Sequence, residues 1–576
     1  MKIEQSIFPM HSRRKLTVVV VCFLSFLLTA FGRLAFLMAF RGDYYSTKAN
    51  ALWERERSIK APRGIIYDRN GNALAQNKPV CSISVIHNQV KDEERVVKEL
   101  SARLDLDEEK VQKKVSKRSV REIIKTNVDR QVADEIRHLE LDGVMIDEDY
   151  KRFYPYDELA SKVLGFTGGD NQGIVGLEVY YDDILMGTPG SINTKTDARG
   201  IEIANESERR VVPVAGHNLV ISLDINIQQY ITNKALEVLE SKQAKRVCIL
   251  VMNPQNGEIY GLADVPEYNL NKPFELNYNL EDKEVTQDML NQMWRCFCVN
   301  DTYEPGSTFK IVTATAGLEH GVVKTSDTFY CPGYRIVEDR RIRCSKVGGH
   351  GSQDFKHGIM NSCNPVFMEV GERIGSERIY DTIETLGLFE KTGIDMPGEA
   401  NSIFHKLENV GAVELATVSF GQSFQITPLQ LARAVSAVIN GGMLVTPHFG
   451  ICQTDENGHI IETFSYPTKE HVISKETSET MCELLEAVVA EGTGNKAYVK
   501  GFSIGGKTAT SEKLPRRTNR YISSFIGFAP AENPKVLTLI LIDEPQGVYY
   551  GGTIAAPVVG DVFRNILPYL GIQKEE

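Results

Sequence analysis

Ser307 stands in the run Glu304-Pro305-Gly306-Ser307-Thr308-Phe309-Lys310, where the Pro-Gly pair marks the start of a helix and Lys310 falls one turn downstream. Side chains three apart on a helix are neighbours, so this spacing sets a primary amine beside a hydroxyl. A serine hydroxyl is inert until a base takes its proton, and the amine is such a base when neutral. The chemistry these residue types support is nucleophilic catalysis through Ser307. Ser-x-x-Lys also arises by chance, and a second copy, Ser12 to Lys15, lies in a basic stretch near the N-terminus. Context has to separate them.

Two later groups supply that context. Asn361-Ser362-Cys363-Asn364-Pro365 offers a hydroxyl and an amide two residues apart, in a stretch where Pro365 forbids a smooth helix. Gly505-Gly506-Lys507-Thr508-Ala509-Thr510 reads as a strand, with paired glycines allowing close backbone approach. Its alternation puts Lys507 and Ala509 on one face, Thr508 and Thr510 on the other. Decoys exist at Ser191 to Asn193 and at Lys391 to Gly393, the latter leading into the loop-like Ile394-Asp395-Met396-Pro397-Gly398. The order Ser-x-x-Lys, Ser-x-Asn, strand-borne Lys-Thr is a far more specific signal than any one member. Gly501 to Thr508 also fits a GxxxxGKT phosphate loop. Such a loop must follow a buried strand and open a helix, whereas Glu491 to Lys500 is polar and Leu514-Pro515 breaks the sequel.

The elements that must position these groups follow from periodicity. Leu219 to Leu223 reads as a strand and Ile225 to Leu239 as an amphipathic helix; Val247 to Met252 and Glu258 to Ala263 are strands around the hairpin signal Asn253-Pro254-Gln255-Asn256-Gly257. A long, mostly helical stretch holds Ser307. Strands resume at about Phe502 to Thr510, Tyr521 to Phe528 and Val536 to Ile542, before a last helix from about Ile554 to Leu570. This order predicts an α/β (α+β) domain: one antiparallel sheet with helices on both faces. Residues 41 to 215 alternate short strands with charged helices and read as an extended pedestal; residues 216 to 576 form the second domain.

At 576 residues the chain exceeds a single core. Its net charge of -11 argues against a nucleic-acid partner, which needs a cationic face. Leu16 to Gly32 carries no charge and, after Arg33, a second apolar run extends to Phe40, so residues 16 to 40 read as a transmembrane anchor. The rival is a cleaved signal peptide, but the run is long for one and no clear cleavage site follows. Arg13, Arg14 and Lys15 precede the anchor, which places residues 1 to 15 in the cytoplasm and the rest outside. The ten cysteines match no zinc spacing. A disulfide between Cys331 and Cys344 is one reading; free buried thiols are the other.

Together these residues resemble the class B penicillin-binding proteins, monofunctional DD-transpeptidases of peptidoglycan, and among them the division or sporulation type. The likeness runs through Pro62 to Gly71, Gly173 to Glu178 and Asp197 to Gly200 in the pedestal, then Met293 to Arg295, Tyr303 to Lys310, Ser362 to Phe367, Thr392 to Glu399, Gly421-Gln422 with Thr427 to Gln430, and Tyr521 to Pro530. The resemblance implies a serine transpeptidase/β-lactamase-like fold and a bacterial membrane location. It implies Ser307 as nucleophile, Lys310 as its base, Ser362 as proton relay, Asn364 holding the substrate amide, and Lys507 with Thr508 binding the terminal carboxylate. Backbone N–H groups of Ser307 and Thr510 would form an oxyanion hole, and burial together with the positive charge of Lys507 would depress the Lys310 pKa. Implied partners are stem peptides, β-lactams, a membrane glycan polymerase and a division or sporulation complex; no metal or organic cofactor is implied. A carboxypeptidase or β-lactamase-type hydrolase, or a catalytically impaired scaffold, are the alternatives. The chain departs from the pattern at Ala509, where the family has Gly, and altered kinetics or β-lactam affinity is expected there, with activity retained.

Overall fold

The computed structural model describes residues 10–118, 121–195, 209–278 and 284–574; the Asp197 to Gly200 motif lies outside them. The chain forms two compact units that interleave in sequence. One comprises Met1–Lys60, Pro79–Asp149 and Pro189–Val214; the other comprises Ala61–Lys78, Tyr150–Thr188 and Ala215–Glu576. Two segments of the expected pedestal, 61–78 and 150–188, thus pack with the C-terminal unit.

In the first unit, helix α1 (Met10–Phe40) contains a 27-residue stretch, Arg14–Phe40, long and apolar enough to cross a membrane. Residues Val80 to Val85 of one strand pair with Glu122–Asp129. Helices Glu93–Leu104, Glu108–Val115 and Arg130–His138 bury Val96, Leu100, Val111, Ala133 and Ile136 against that ladder. The first two begin at Asp92 and Asp107, whose carboxylates accept from backbone N–H groups of the first turn.

The C-terminal unit is built on a five-stranded sheet. Asp224 caps helix α2 (Ile225–Ser241), which leads into strands β1 (Arg246–Met252) and β2 (Ile259–Val265). A long insertion carries helix α3 (Lys310–Glu319), short strands β3 (Thr328–Cys331), β4 (Tyr334–Val337), β5 (Arg340–Arg343) and β6 (Gly351–Asp354), then helices α4 (Phe355–Met360), α5 (Asn364–Ile374), α6 (Pro428–Ile439) and α7 (Lys475–Ala490). Strands β7 (Gly505–Glu512), β8 (Tyr521–Ala529) and β9 (Val536–Asp543) precede helix α8 (Ala556–Tyr569). The order is β2-β1-β9-β8-β7 and every pairing is antiparallel.

Both faces of this sheet are covered, which is why its central strands read as unbroken apolar runs. Val247, Ile249 and Val251 of β1 pack with α2 and α8, while Cys248, Leu250 and Met252 pack with the insertion helices. Helix α6 is buried along all 12 of its residues. The expected antiparallel sheet between helical layers is present. The insertion is less purely helical than expected, because β3 pairs with β6 and β4 with β5. Strand Asn218–Ile221 joins a second sheet, parallel to Ile66–Tyr67 and antiparallel to Gly450–Thr454.

Candidate active site

Ser307 lies in a 3₁₀ turn, Gly306–Phe309, that runs directly into α3 at Lys310. Residues three apart eclipse one another in a 3₁₀ turn, which aligns the Ser307 and Lys310 side chains more closely than an α-helix would. Two glycines make the turn possible. The Gly306 N–H donates to Gly421 O at 2.9 Å, and a Cβ on Gly421, whose φ is +87°, would fall 1.9 Å from Gly306 O. Gly306 itself has φ +57°, and a Cβ there would meet Ser511 Oγ of β7 at 2.3 Å. Any side chain at either position would push the Ser307 turn away from its neighbours.

Lys310 carries the site's geometry. Its ammonium is buried and donates to Ser362 O at 2.7 Å, Ser362 Oγ at 3.1 Å and Asn364 Oδ1 at 2.7 Å. The Phe367 ring lies 5.4 Å from Nζ. Helix α4 ends at Met360 and α5 begins at Asn364, so the break expected near Pro365 precedes it, and Pro365 occupies the first turn of α5, where its missing N–H is harmless. Ser362 sits between the helices with φ +53°. That left-handed conformation, uncommon for serine, exposes both its carbonyl and its hydroxyl to one amine.

Lys507 and Thr508 lie on β7, opposite Ile526 and Phe525 of β8. Lys507 is fully buried, and among the described residues its Nζ reaches only Thr508 O, at 3.4 Å. Thr508 Oγ1 donates to Thr493 Oγ1 at 3.4 Å, and Thr510 Oγ1 accepts from the Gly551 N–H at 3.0 Å. The strand assignment removes the phosphate-loop alternative, since Gly505 to Thr508 opens β7 and no helix follows.

The electrostatics suit a base. Burial pushes the Lys310 amine down to about 8, with the Cys363 and Cys344 thiols acting in the opposite sense. Of the two causes expected, burial is the one that lowers Lys310; the expected push from Lys507 needs correcting, since the repulsion falls on Lys507, which burial and then the Lys310 charge hold well below the ordinary lysine value. Ala509 is buried rather than facing open space, and its Cβ would lie 3.7 Å from a Cβ on Gly306. The methyl therefore packs toward a glycine, an ordinary van der Waals separation.

The decoys take structural places. Thr392 Oγ1 and N–H both bind Glu399 Oε1, at 2.6 and 2.7 Å, and Asp395 accepts from the Phe449 and Gly450 N–H groups and from Tyr181 Oη. Ser191 and Asn193 lie on a strand of the other unit. All ten cysteines are free, so no Cys331–Cys344 bridge forms. Sequence reasoning missed Thr493, whose N–H and Oγ1 each hold Met360 O at 3.1 Å while the same oxygen meets Thr508. It ties the end of α4 to β7, and the only signal was the Glu491-Gly492-Thr493-Gly494 turn ahead of that strand.

The antiparallel sheet between helical layers is the fold of penicillin-binding transpeptidases, and comparison with known proteins shows the family. Residues 247–567 match the penicillin-binding protein transpeptidase domain, and residues 58–221 match the penicillin-binding protein dimerisation domain. Stage V sporulation protein D of Bacillus subtilis is 41% identical over 551 residues, covering 94% of this chain and 83% of that protein. Peptidoglycan D,D-transpeptidase FtsI of Escherichia coli is 27% identical, covering 96% of this chain and 91% of its own. A peptidoglycan synthetase structure from Bifidobacterium adolescentis shares the fold with a TM-score of 0.73 and 23% identity, over 91% of this chain and 98% of that one. The chain belongs to the class B penicillin-binding proteins and carries their transpeptidase domain.

Proposed function

We propose that the protein cross-links peptidoglycan through an acyl-enzyme on Ser307. The observation that carries this reading is the buried Lys310 amine held on Ser362 and Asn364, one turn from Ser307 and with no carboxylate among the described residues to fix its charge. Lys310, when neutral, takes the Ser307 proton as Oγ attacks the carbonyl of the penultimate D-Ala of a donor stem peptide. The C–N bond breaks, Ser362 passes a proton to the leaving nitrogen, and free D-Ala departs. An amine of a neighbouring stem peptide then attacks the ester, forming the cross-link and returning Ser307 to its hydroxyl form. Lys507 and Thr508 bind the terminal carboxylate, Asn364 orients the substrate amide, and the Ser307 and Thr510 N–H groups hold the oxyanion.

β-Lactams acylate the same oxygen, with Ala509 altering their rates without abolishing reaction. The basic residues Arg13, Arg14 and Lys15, which precede the apolar run beginning at Leu16, support a cytoplasmic N-terminus and an extracytoplasmic catalytic unit in a single-pass membrane protein. Similarity to a sporulation protein supports work in a sporulation or division complex beside a membrane glycan polymerase. The test uses detergent-solubilised full-length protein and fluorescent penicillin. One adduct per chain, mapped to the peptide holding Ser307 and lost in Ser307→Ala, is expected. Absence of labelling favours a scaffold, and sustained rapid nitrocefin turnover favours a hydrolase.

A further inference from the structure

Strand β7 is the outer strand of its sheet, so one row of its backbone groups is left for an added peptide strand. Under the function proposed above, on which this inference rests, a donor peptide sets its terminal carboxylate at Lys507 and Thr508 and its reacting carbonyl at the Thr510 N–H. Two such points fix a direction. Followed toward its own N-terminus, the donor runs from the start of β7 to its end. At about 3.4 Å per residue, the residue preceding the penultimate D-Ala arrives level with Glu512.

A cavity of about 190 Å³ opens at that place. Its walls include Tyr303 and Glu304, ahead of the Ser307 turn, Ser511, Glu512 and Lys513 at the end of β7, and Ile522 of β8. Sites for whole small ligands run to about 300–1,000 Å³, so this one has the size for a single side chain. Tyr303 and Ile522 are buried and offer apolar surface to a methylene stem. The Ser511 hydroxyl is buried too and has no hydrogen-bond partner among the described residues, a vacancy that a polar ligand satisfies.

The charges decide how that side chain must end. Glu304 is answered by Arg516 and accepts from the Ser423 N–H at 3.1 Å. Lys513 is answered by Asp543 Oδ1 at 2.7 Å and Glu544 Oε1 at 2.6 Å. Glu512 is half-buried and its Oε1 accepts from the Arg517 N–H, yet among the described residues no cationic side chain pairs with it. We propose that this cavity is a specificity subsite for the donor residue preceding the two D-Ala residues, and that Glu512 selects a side chain ending in an ammonium. Lysine and meso-diaminopimelate share that ammonium, and the second adds a carboxylate beside it.

Full-length protein in detergent is mixed with thioester donors acetyl-X-D-Ala-thioglycolate, from which Ser307 Oγ takes the acyl group while thioglycolate leaves as the thiol. X is L-lysine, meso-diaminopimelate, L-norleucine or L-2-aminoadipate. Quench-flow with intact-mass detection gives each second-order acylation constant, and fluorescent penicillin counts the competent protein in each sample. In wild type and in the control Glu456→Gln, an ammonium-ended donor should exceed norleucine roughly 10-fold, and the faster of the two tells whether the added carboxylate is bound as well. Glu512→Gln should bring that ratio close to one. Glu512→Lys should invert the selection in favour of 2-aminoadipate, a gain that misfolding does not produce. Equal constants for norleucine and both ammonium-ended donors in wild type overturn the subsite and leave the transpeptidase reading intact. So does a preference that survives Glu512→Gln without inverting in Glu512→Lys, or failure of every donor on protein that penicillin labels. Wild type acylated by neither donors nor penicillin overturns the transpeptidase reading, and the subsite with it.

Discussion

Two clusters of buried cations in the C-terminal unit have opposite surroundings. Around Arg63 every charge is answered: its guanidinium meets Glu178 Oε2 and Asp182 Oδ1, each at 2.6 Å, and Arg152 holds Glu178 Oε1 at 2.6 Å. Tyr154 Oη donates to the same carboxylate at 3.1 Å. Lys310 and Lys507 are as deeply buried, yet among the described residues neither forms an ion pair. A paired buried charge stays ionised and holds structure, whereas an unpaired amine is pushed toward its neutral form and becomes a base. What separates the Arg63 cluster from the proposed catalytic lysines is the placement of carboxylates, since burial is common to both.

Substitutions that remove one cation from each cluster sharpen the contrast. Lys310→Met should slow Ser307 acylation by about 10²–10⁴-fold, the usual share of a general base, while the melting temperature holds or rises. Stopped-flow acylation and thermal melts check both halves; a large loss of stability would mean that Lys310 is structural. Arg63→Met should do the reverse, costing about 3–5 kcal/mol because Glu178 loses a buried partner, with acylation of the folded fraction unchanged. Denaturant titration measures it. The third effect is graded: with Lys310 titrating near about 8, the acylation rate should rise with pH up to that value. Below it the neutral fraction, and with it the rate, falls roughly tenfold per pH unit. A rate flat from pH 6 to 9 would rule out Lys310 as the titrating base.

Much of this site was legible because its motifs are local. Ser307 and Lys310 share a turn, Ser362 and Asn364 share another, and Lys507 and Thr508 share a strand whose apolar neighbours, Tyr521 to Phe528 and Val536 to Ile542, announce a sheet. The motif segments around Arg63 and Glu178 were visible too, but not that they pair, because that contact spans 115 residues. Long-range closure also hid a cluster of three cysteines and His350. Positions 331, 344, 350 and 363 contain no close Cys-x-x-Cys pair, and only the folding of two hairpins onto α5 assembles them. Thr493 was missed for a related reason: a lone threonine in a glycine turn shows nothing until α4 and β7 arrive on either side of it.

A third buried group lies between the two extremes. Glu267 accepts from Ser161 Oγ, and Lys162 Nζ, 3.4 Å from Asp264 Oδ2, lowers its pKa without pairing with it. Burial outweighs that help and pushes Glu267 up to about 7. Its other oxygen, Oε1, has no hydrogen-bond partner among the described residues, as suits a protonated acid. The folded state thus binds a proton that the unfolded chain, with its carboxyl near 4.5, releases sooner. The stability this proton contributes is complete below about pH 4.5 and is lost as pH rises through about 7. Compared with Glu267→Gln, which keeps the shape without the titration, wild type should lose on the order of 2–3 kcal/mol between pH 5 and 8. Parallel melts across that range decide it. Curves that run parallel would show Glu267 charged throughout, placing it with Glu178 among the paired structural charges.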